Sequence, residues 1–251
     1  MGPGANLKRV FEAISSGISS LLFPRSCLVC RAPLADGGAF EICGACMSGL
    51  RLKPEHSCRV CAAPIDGEVA RAGITICGHC RTRPPPFDLT FCGMRYEGKS
   101  REMIHRFKFG DGTRLAGALS SLLCAELYPR DDVRKTDVVL PVPLHRKRLF
   151  ERGYNQSYLL ARDVGAALSL PVVTGVLVRG KYAGPQSART RAERMENIKN
   201  AFLVERPETV AGKSVLLVDD IMTTGATMSE AAKTLKKSGA RIVICAVAAR
   251  A

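Results

Sequence analysis

The chain has 251 residues, a formal net charge of +14, 46% hydrophobic residues and no tryptophan. That length allows a sizeable core in one or two domains, and that hydrophobicity excludes a disordered chain. No run is long and apolar enough to cross a bilayer, so no membrane insertion is expected. Residues 91–251 hold 27 Lys and Arg against 16 Asp and Glu, a surplus that suits phosphate-rich partners, nucleic acid among them.

At the N-terminus Leu7, Val10, Phe11, Ile14, Ile18, Leu21 and Leu22 recur at helical spacing. This predicts an amphipathic helix within residues 1–23 that packs on the body, with weak membrane-surface contact as the alternative. Ser and Gly interrupt it too often for the core of a signal peptide. Gly2 is followed by Pro3, and Asn6 stands where a myristoylation signal needs Ser or Thr. The expected compartment is the cytoplasm.

Four CxxC pairs follow, Cys27/Cys30, Cys43/Cys46, Cys58/Cys61 and Cys77/Cys80, and the sequence around them repeats. Ser26-Cys-Leu-Val-Cys-Arg-Ala-Pro-Leu34 matches Ser57-Cys-Arg-Val-Cys-Ala-Ala-Pro-Ile65, and Ile42-Cys-Gly-Ala-Cys46 matches Ile76-Cys-Gly-His-Cys80. Four thiolates from two such turns satisfy tetrahedral zinc, and the spacing is that of a ribbon. Two structural Zn²⁺ sites are therefore expected within residues 24–83, a double zinc ribbon. In a self-contained pairing Cys27, Cys30, Cys43 and Cys46 hold one ion and Cys58, Cys61, Cys77 and Cys80 the other. Cross-bracing of the first knuckle with the third is the alternative. Disulfides would need an oxidising compartment that nothing in the sequence supports. Gly44 and Gly78 suit a tight turn that aims backbone amides at the sulfurs. His79 is read as a bystander, and Cys92, Cys124 and Cys245, in apolar segments, as core thiols.

Arg83-Pro84-Pro85-Pro86 is a stiff linker by composition, and a second domain is expected over 84–251. Strands are predicted over 91–96, 137–143, 171–178, 201–204, 215–218 and 242–248. Helices are predicted over 101–107, 115–127, from Gly153-Tyr-Asn-Gln156 to about Leu168, and over 228–237. Such alternation predicts an α/β fold, a mostly parallel sheet with helices on both faces and ligands at the strands' carboxyl ends. Arg146, Lys147, Arg148 and Arg152 follow one strand end and read as a pyrophosphate-binding loop. The long polar stretch from Arg179 to Asn197 reads as a lid. Its closure would exclude water and bring Arg179 and Gln186 to the leaving group.

Val215-Leu-Leu-Val-Asp-Asp-Ile-Met-Thr-Thr-Gly-Ala-Thr227 is the most informative stretch. A buried strand, the carboxylates of Asp219 and Asp220, and the loop Thr223, Thr224, Gly225, Ala226, Thr227 lead into a helix start. Loop amides at a helix start favour a phosphate, and adjacent acids accept hydrogen bonds from vicinal hydroxyls. The stretch resembles the 5-phosphoribosyl-1-pyrophosphate (PRPP) motif of type I phosphoribosyltransferases.

The whole order resembles the ComF proteins, a double zinc ribbon fused to a phosphoribosyltransferase-like domain and associated with DNA uptake during competence. The matching features are Phe23-Pro24 with the first CxxC, Phe107-Lys108-Phe109-Gly110, Pro141-Val-Pro143 with Arg152-Gly-Tyr-Asn-Gln156, Gln186 with Arg194 and Asn197, and the Asp219-Asp220 motif. The resemblance implies that Asp219 and Asp220 hold the ribose 2′ and 3′ hydroxyls. It implies that the Thr223–Thr227 loop holds the 5′-phosphate and that Mg²⁺ accompanies PRPP. Hypoxanthine-guanine enzymes of this class have Asp where this chain has Thr223, which argues against that acceptor. Single-stranded DNA and DNA-uptake proteins are the further partners implied. The alternative to a transferase is a non-catalytic nucleic-acid-binding or assembly protein that uses the PRPP site as a ligand sensor.

Overall fold

The computed structural model describes residues 25–34, 39–109, 112–180 and 199–251. The helix expected within 1–23, Phe23-Pro24, Gly110, and Gln186, Arg194 and Asn197 of the expected lid lie outside those residues. The chain divides into two compact units, Met1–Gly49 and Leu50–Ala251.

In the first unit the Cys27–Cys30 turn closes with Cys27 N donating to Ala32 O at 2.8 Å, and Ser26 bridges Pro33. Leu28 N donates to Glu41 O at 2.9 Å, and α1 (Gly44–Ser48) begins directly after Cys43. The second unit opens on the same pattern. Cys58 N donates to Ala63 O at 2.8 Å, Ser57 bridges Pro64, and Arg59 N donates to Thr75 O at 2.9 Å. Between its two knuckles lies α2 (Gly67–Arg71), capped by Asp66, and α3 (Gly78–Thr82) follows Cys77. The repeat in sequence is thus a repeat in backbone. Gly44 and Gly78 open the turns α1 and α3 that follow Cys43 and Cys77, and space does not demand glycine there, since an added Cβ would meet nothing within 4 Å. Left-handed residues include Arg31 (φ 66) and Ala62 (φ 55), one position past each repeat's first knuckle, together with Phe40 (φ 61), Glu41 (φ 55) and Gly73 (φ 80).

Among the described residues, the rest of the second unit includes β1 (Leu89–Arg95), α4 (Gly98–Phe109), α5 (Gly112–Leu127), α6 (Asp131–Arg134), β2 (Val138–Pro141), α7 (Arg146–Arg152), α8 (Gln156–Leu168), β3 (Leu177–Arg179), β4 (Phe202–Val204), β5 (Ser214–Met222), α9 (Ala226–Lys237) and β6 (Ile242–Arg250). A four-stranded sheet runs in the order β1-β6-β5-β2 with every pairing parallel. β3 and β4 form a separate antiparallel pair. The central strands are continuous apolar runs because both faces are covered. Val215 to Val218 and Val243 to Ala249 are all buried. Val215 and Leu217 of β5 share a core cluster with Val243, Cys245 and Val247 of β6 and with Met228, Ala231, Ala232 and Leu235 of α9. α5 and α8 pack on each other and on β1 and β5. Alternation along the strands puts these helices on the opposite face from α9. Cys58, Cys61, Ala62 and Cys80 belong to the α9-side cluster, so the second ribbon packs directly on the α/β body.

Three expected elements differ. The strand over 171–178 breaks: Val172 bridges Val139, the chain turns at Gly175 (φ 69), and only Leu177–Arg179 pairs, with β4. The basic segment after β2 is a helix, α7, because His145 caps it by accepting from Lys147 N. β5 does not stop before the acids. It continues to Met222 because β6 runs beside it, setting Asp219 opposite Val247 and Ile221 opposite Ala249.

Candidate functional site

Asp219 and Asp220 lie in the carboxyl-terminal half of β5. Ser157, at the start of α8, donates its hydroxyl to Asp219 Oδ1 at 2.7 Å, and Asp220 N donates to the same oxygen at 2.9 Å. Burial, and then the neighbouring Asp220 carboxylate, push Asp219 up to about 7. Asp220 is buried and its Oδ1 lies 3.0 Å from Lys108 Nζ at the end of α4.

The loop after β5 turns at Gly225 (φ 79), which leads α9. Only glycine adopts that backbone without strain. Thr224 Oγ1 accepts from Ala226 N at 3.3 Å. The start of the loop is pinned by Arg250, whose guanidinium donates to Met222 O at 3.1 Å, to Thr223 O, and to Cys61 O at 3.0 Å. A single side chain therefore joins a knuckle of the second ribbon to the loop expected to hold phosphate. Nothing in the sequence around Arg250 signals this role.

Arg179 ends β3, largely buried, with its guanidinium 5.4 Å over the Phe202 ring and its Nε lacking a hydrogen-bond acceptor among the described residues. Burial and then Arg148 lower its basicity, while the Asp219 carboxylate opposes that. The structure thus brings Arg148, Arg179 and Asp219 within electrostatic reach of one another. Arg152 sits 5.0 Å over the Phe109 ring and donates to Gln156 Oε1 at 3.2 Å. Arg146 and Lys147 lie on the exposed side of α7. Lys108 and Ser157 touch the acids directly, and no motif in the sequence marks either as a partner of an acid. Lys108 was legible only as part of the Phe107–Gly110 match.

The eight cysteines converge in two self-contained sets, Cys27, Cys30, Cys43, Cys46 and Cys58, Cys61, Cys77, Cys80. The pairing is therefore within each repeat and not cross-braced, and His79 is in neither set. Cys30 Sγ and Cys43 Sγ are 3.7 Å apart, as are Cys61 Sγ and Cys77 Sγ. Tetrahedral zinc with bonds of about 2.3 Å has sulfur edges of about 3.8 Å, and a disulfide would need about 2.05 Å. Burial opposes ionisation of Cys27, yet the amides of Cys43, Cys30 and Val29 bring it down to about 6. Burial and the neighbouring sulfurs push Cys46 and Cys80 well up. Converging thiols resist a second and third ionisation unless a cation sits among them, so the donor sets fit Zn²⁺. The remaining thiols, Cys92, Cys124 and Cys245, are buried in the core. No helix among the described residues is long and apolar enough to cross a membrane.

Two ribbons ahead of a parallel sheet with acids late in a central strand define a class: a double zinc ribbon joined to a phosphoribosyltransferase-type domain. Known families match both parts. A double zinc ribbon domain matches residues 18–81 and a phosphoribosyl transferase domain matches residues 154–251. The DNA utilization protein YhgH of Shigella flexneri is 33% identical over 226 residues, covering 89% of this chain and 96% of its own. Competence protein F of Haemophilus influenzae is 30% identical over 80% of this chain and 81% of its own. Competence protein ComFC of Bacillus subtilis is 28% identical over 79% of each. The chain belongs to the ComF family.

Proposed function

We propose that the protein binds PRPP with Mg²⁺ in its phosphoribosyltransferase domain, transfers the phosphoribosyl group, and serves DNA uptake or related nucleic-acid metabolism. The observation that carries this is the adjacent pair of half-buried Asp219 and buried Asp220, late in β5 and followed by the Thr223–Thr227 loop at the start of α9. In this reading the acids accept the ribose hydroxyls and the loop amides hold the 5′-phosphate. Arg146, Lys147, Arg148 and Arg152 attract the pyrophosphate. Arg179, close to Asp219 and Arg148, faces the charge that develops as the leaving group departs. Catalysis is positional and electrostatic: the side chains fix the sugar and neutralise pyrophosphate while positive charge grows at C1′. Carboxylate oxygens beside the ribose suit Mg²⁺, which would supply neutralising charge to substrate oxygens.

Each four-cysteine set holds one Zn²⁺ with all four positions filled, which makes the ribbons structural. Eight reduced thiols fit the cytoplasm. The DNA role is supported by the relatives' names and by the net charge of +14, with single-stranded DNA and uptake proteins as partners. The division proposed is 24–83 for the ribbons and 84–251 for the transferase domain.

Calorimetry with PRPP and Mg²⁺, combined with a screen for pyrophosphate release across acceptors including nucleic acid, tests the proposal. Binding with release supports a transferase. Binding without release against every acceptor supports the ligand-sensing alternative. No binding of PRPP or ribose 5-phosphate rejects the site.

A further inference from the structure

Lys108 is the group that the function just described leaves without a task, and its setting is specific. Its Nζ lies 3.0 Å from Asp220 Oδ1, with side-chain exposures of 20% and 8%. An ion pair this deep is costly to break from one side, because the partner left behind is an unpaired charge in a poorly hydrated place. The adjacent Asp219 carboxylate makes an uncompensated Asp220 costlier still. A ligand that takes Asp220 must therefore supply a replacement for the lysine and a new partner for it.

The backbone that presents Lys108 is tied to the segment carrying the basic residues. Tyr154 Oη donates to Phe107 O at 2.6 Å, and Gln156 Nε2 reaches Lys108 O at 3.5 Å. Arg152, the last residue of α7, packs over the Phe109 ring and bonds Gln156. The end of α4 is thus held against the region read as the pyrophosphate site, while the lysine stem remains a flexible tether with three rotatable donors.

We propose that Lys108 is the resident cation of the acid pair: it neutralises Asp220 in the free chain, yields that carboxylate to the ribose hydroxyls, and turns to the pyrophosphate group. The inference rests on the reading of Asp219 and Asp220 as a ribose site. It explains how the site stays satisfied when empty. It also gives PRPP an advantage over ribose 5-phosphate, since only PRPP offers the displaced ammonium a new anion.

The experiment compares PRPP and ribose 5-phosphate, each with Mg²⁺, by calorimetry on the full chain and on Lys108→Met. The expected result is that the variant loses about tenfold or more of the preference for PRPP, the size of one charge-assisted contact. Its affinity for ribose 5-phosphate should be kept or tightened. Equal weakening of both ligands, or an unchanged preference, overturns the assignment while leaving the PRPP site standing. No binding of either ligand to the unaltered chain overturns both. Should the variant not fold, acylation of Lys108 in the unaltered chain decides, read by mass spectrometry. Ribose 5-phosphate with Mg²⁺ should speed its modification several-fold and PRPP should suppress it; equal rates in all three states overturn the proposal.

Discussion

Asp219→Asn should make the free protein more stable at neutral pH while removing its affinity for PRPP. The carboxyl is raised from an ordinary value of 3.8 to about 7 by burial and by Asp220. Between those values the folded chain holds a proton that the unfolded chain has released. Stability therefore falls as pH rises across the window and is lowest above about 7. The linked destabilisation is on the order of 2 kcal/mol at pH 5 and on the order of 4 kcal/mol at pH 8. Asn does not ionise, nearly conserves volume, and still offers Ser157 an acceptor. The variant's advantage should therefore grow by about 2 kcal/mol or more between pH 5 and pH 8, several degrees in Tm for a chain of this size. Paired thermal melts of the zinc-loaded protein at the two pH values read this directly. An advantage that is the same at both pH values, or a variant less stable at pH 8, would refute the reasoning. Retained PRPP binding by the variant would refute the role of Asp219 in holding ribose.

Other consequences are separable. The purified chain should contain two zinc ions, and Cys58→Ser should release one and leave the set of Cys27, Cys30, Cys43 and Cys46 loaded; elemental analysis showing loss of both would contradict self-contained sites. Arg250→Met should weaken PRPP binding several-fold by freeing the Thr223 carbonyl, and should lower stability by about 1–3 kcal/mol because several carbonyls lose a charged donor. An unchanged affinity in calorimetry would mean the loop needs no pin. Reversing the charges of Arg146, Lys147 and Arg148 should weaken PRPP binding and, if DNA shares the surface, weaken DNA binding and flatten its salt dependence. DNA affinity and salt dependence unchanged in that variant would place the nucleic-acid contacts elsewhere.

The sequence by itself determined the features whose physics is local. Metal-binding knuckles need sulfurs at fixed short spacing, so Cys27 to Cys80 announced two ribbons, while the choice between self-contained and cross-braced pairing was made by the structure. A buried parallel strand needs an unbroken apolar run, so Val215 to Val218 and Ile242 to Ala248 were legible, as were the acids and the threonine-rich loop beside them. Features decided by distant partners were not legible. β5 runs on through Asp219 and Asp220 to Met222 only because β6 lies beside it as far as Arg250. The basic residues after β2 form a helix capped by His145, where composition suggested an open loop. Ser157 on Asp219, Lys108 on Asp220 and Arg250 between Cys61 and Thr223 each join segments far apart in the chain. A side chain's charge is written in its residue type, but the partner that balances it is chosen by the packing of the sheet and its helices. The tertiary structure alone therefore decided which cation answers which acid.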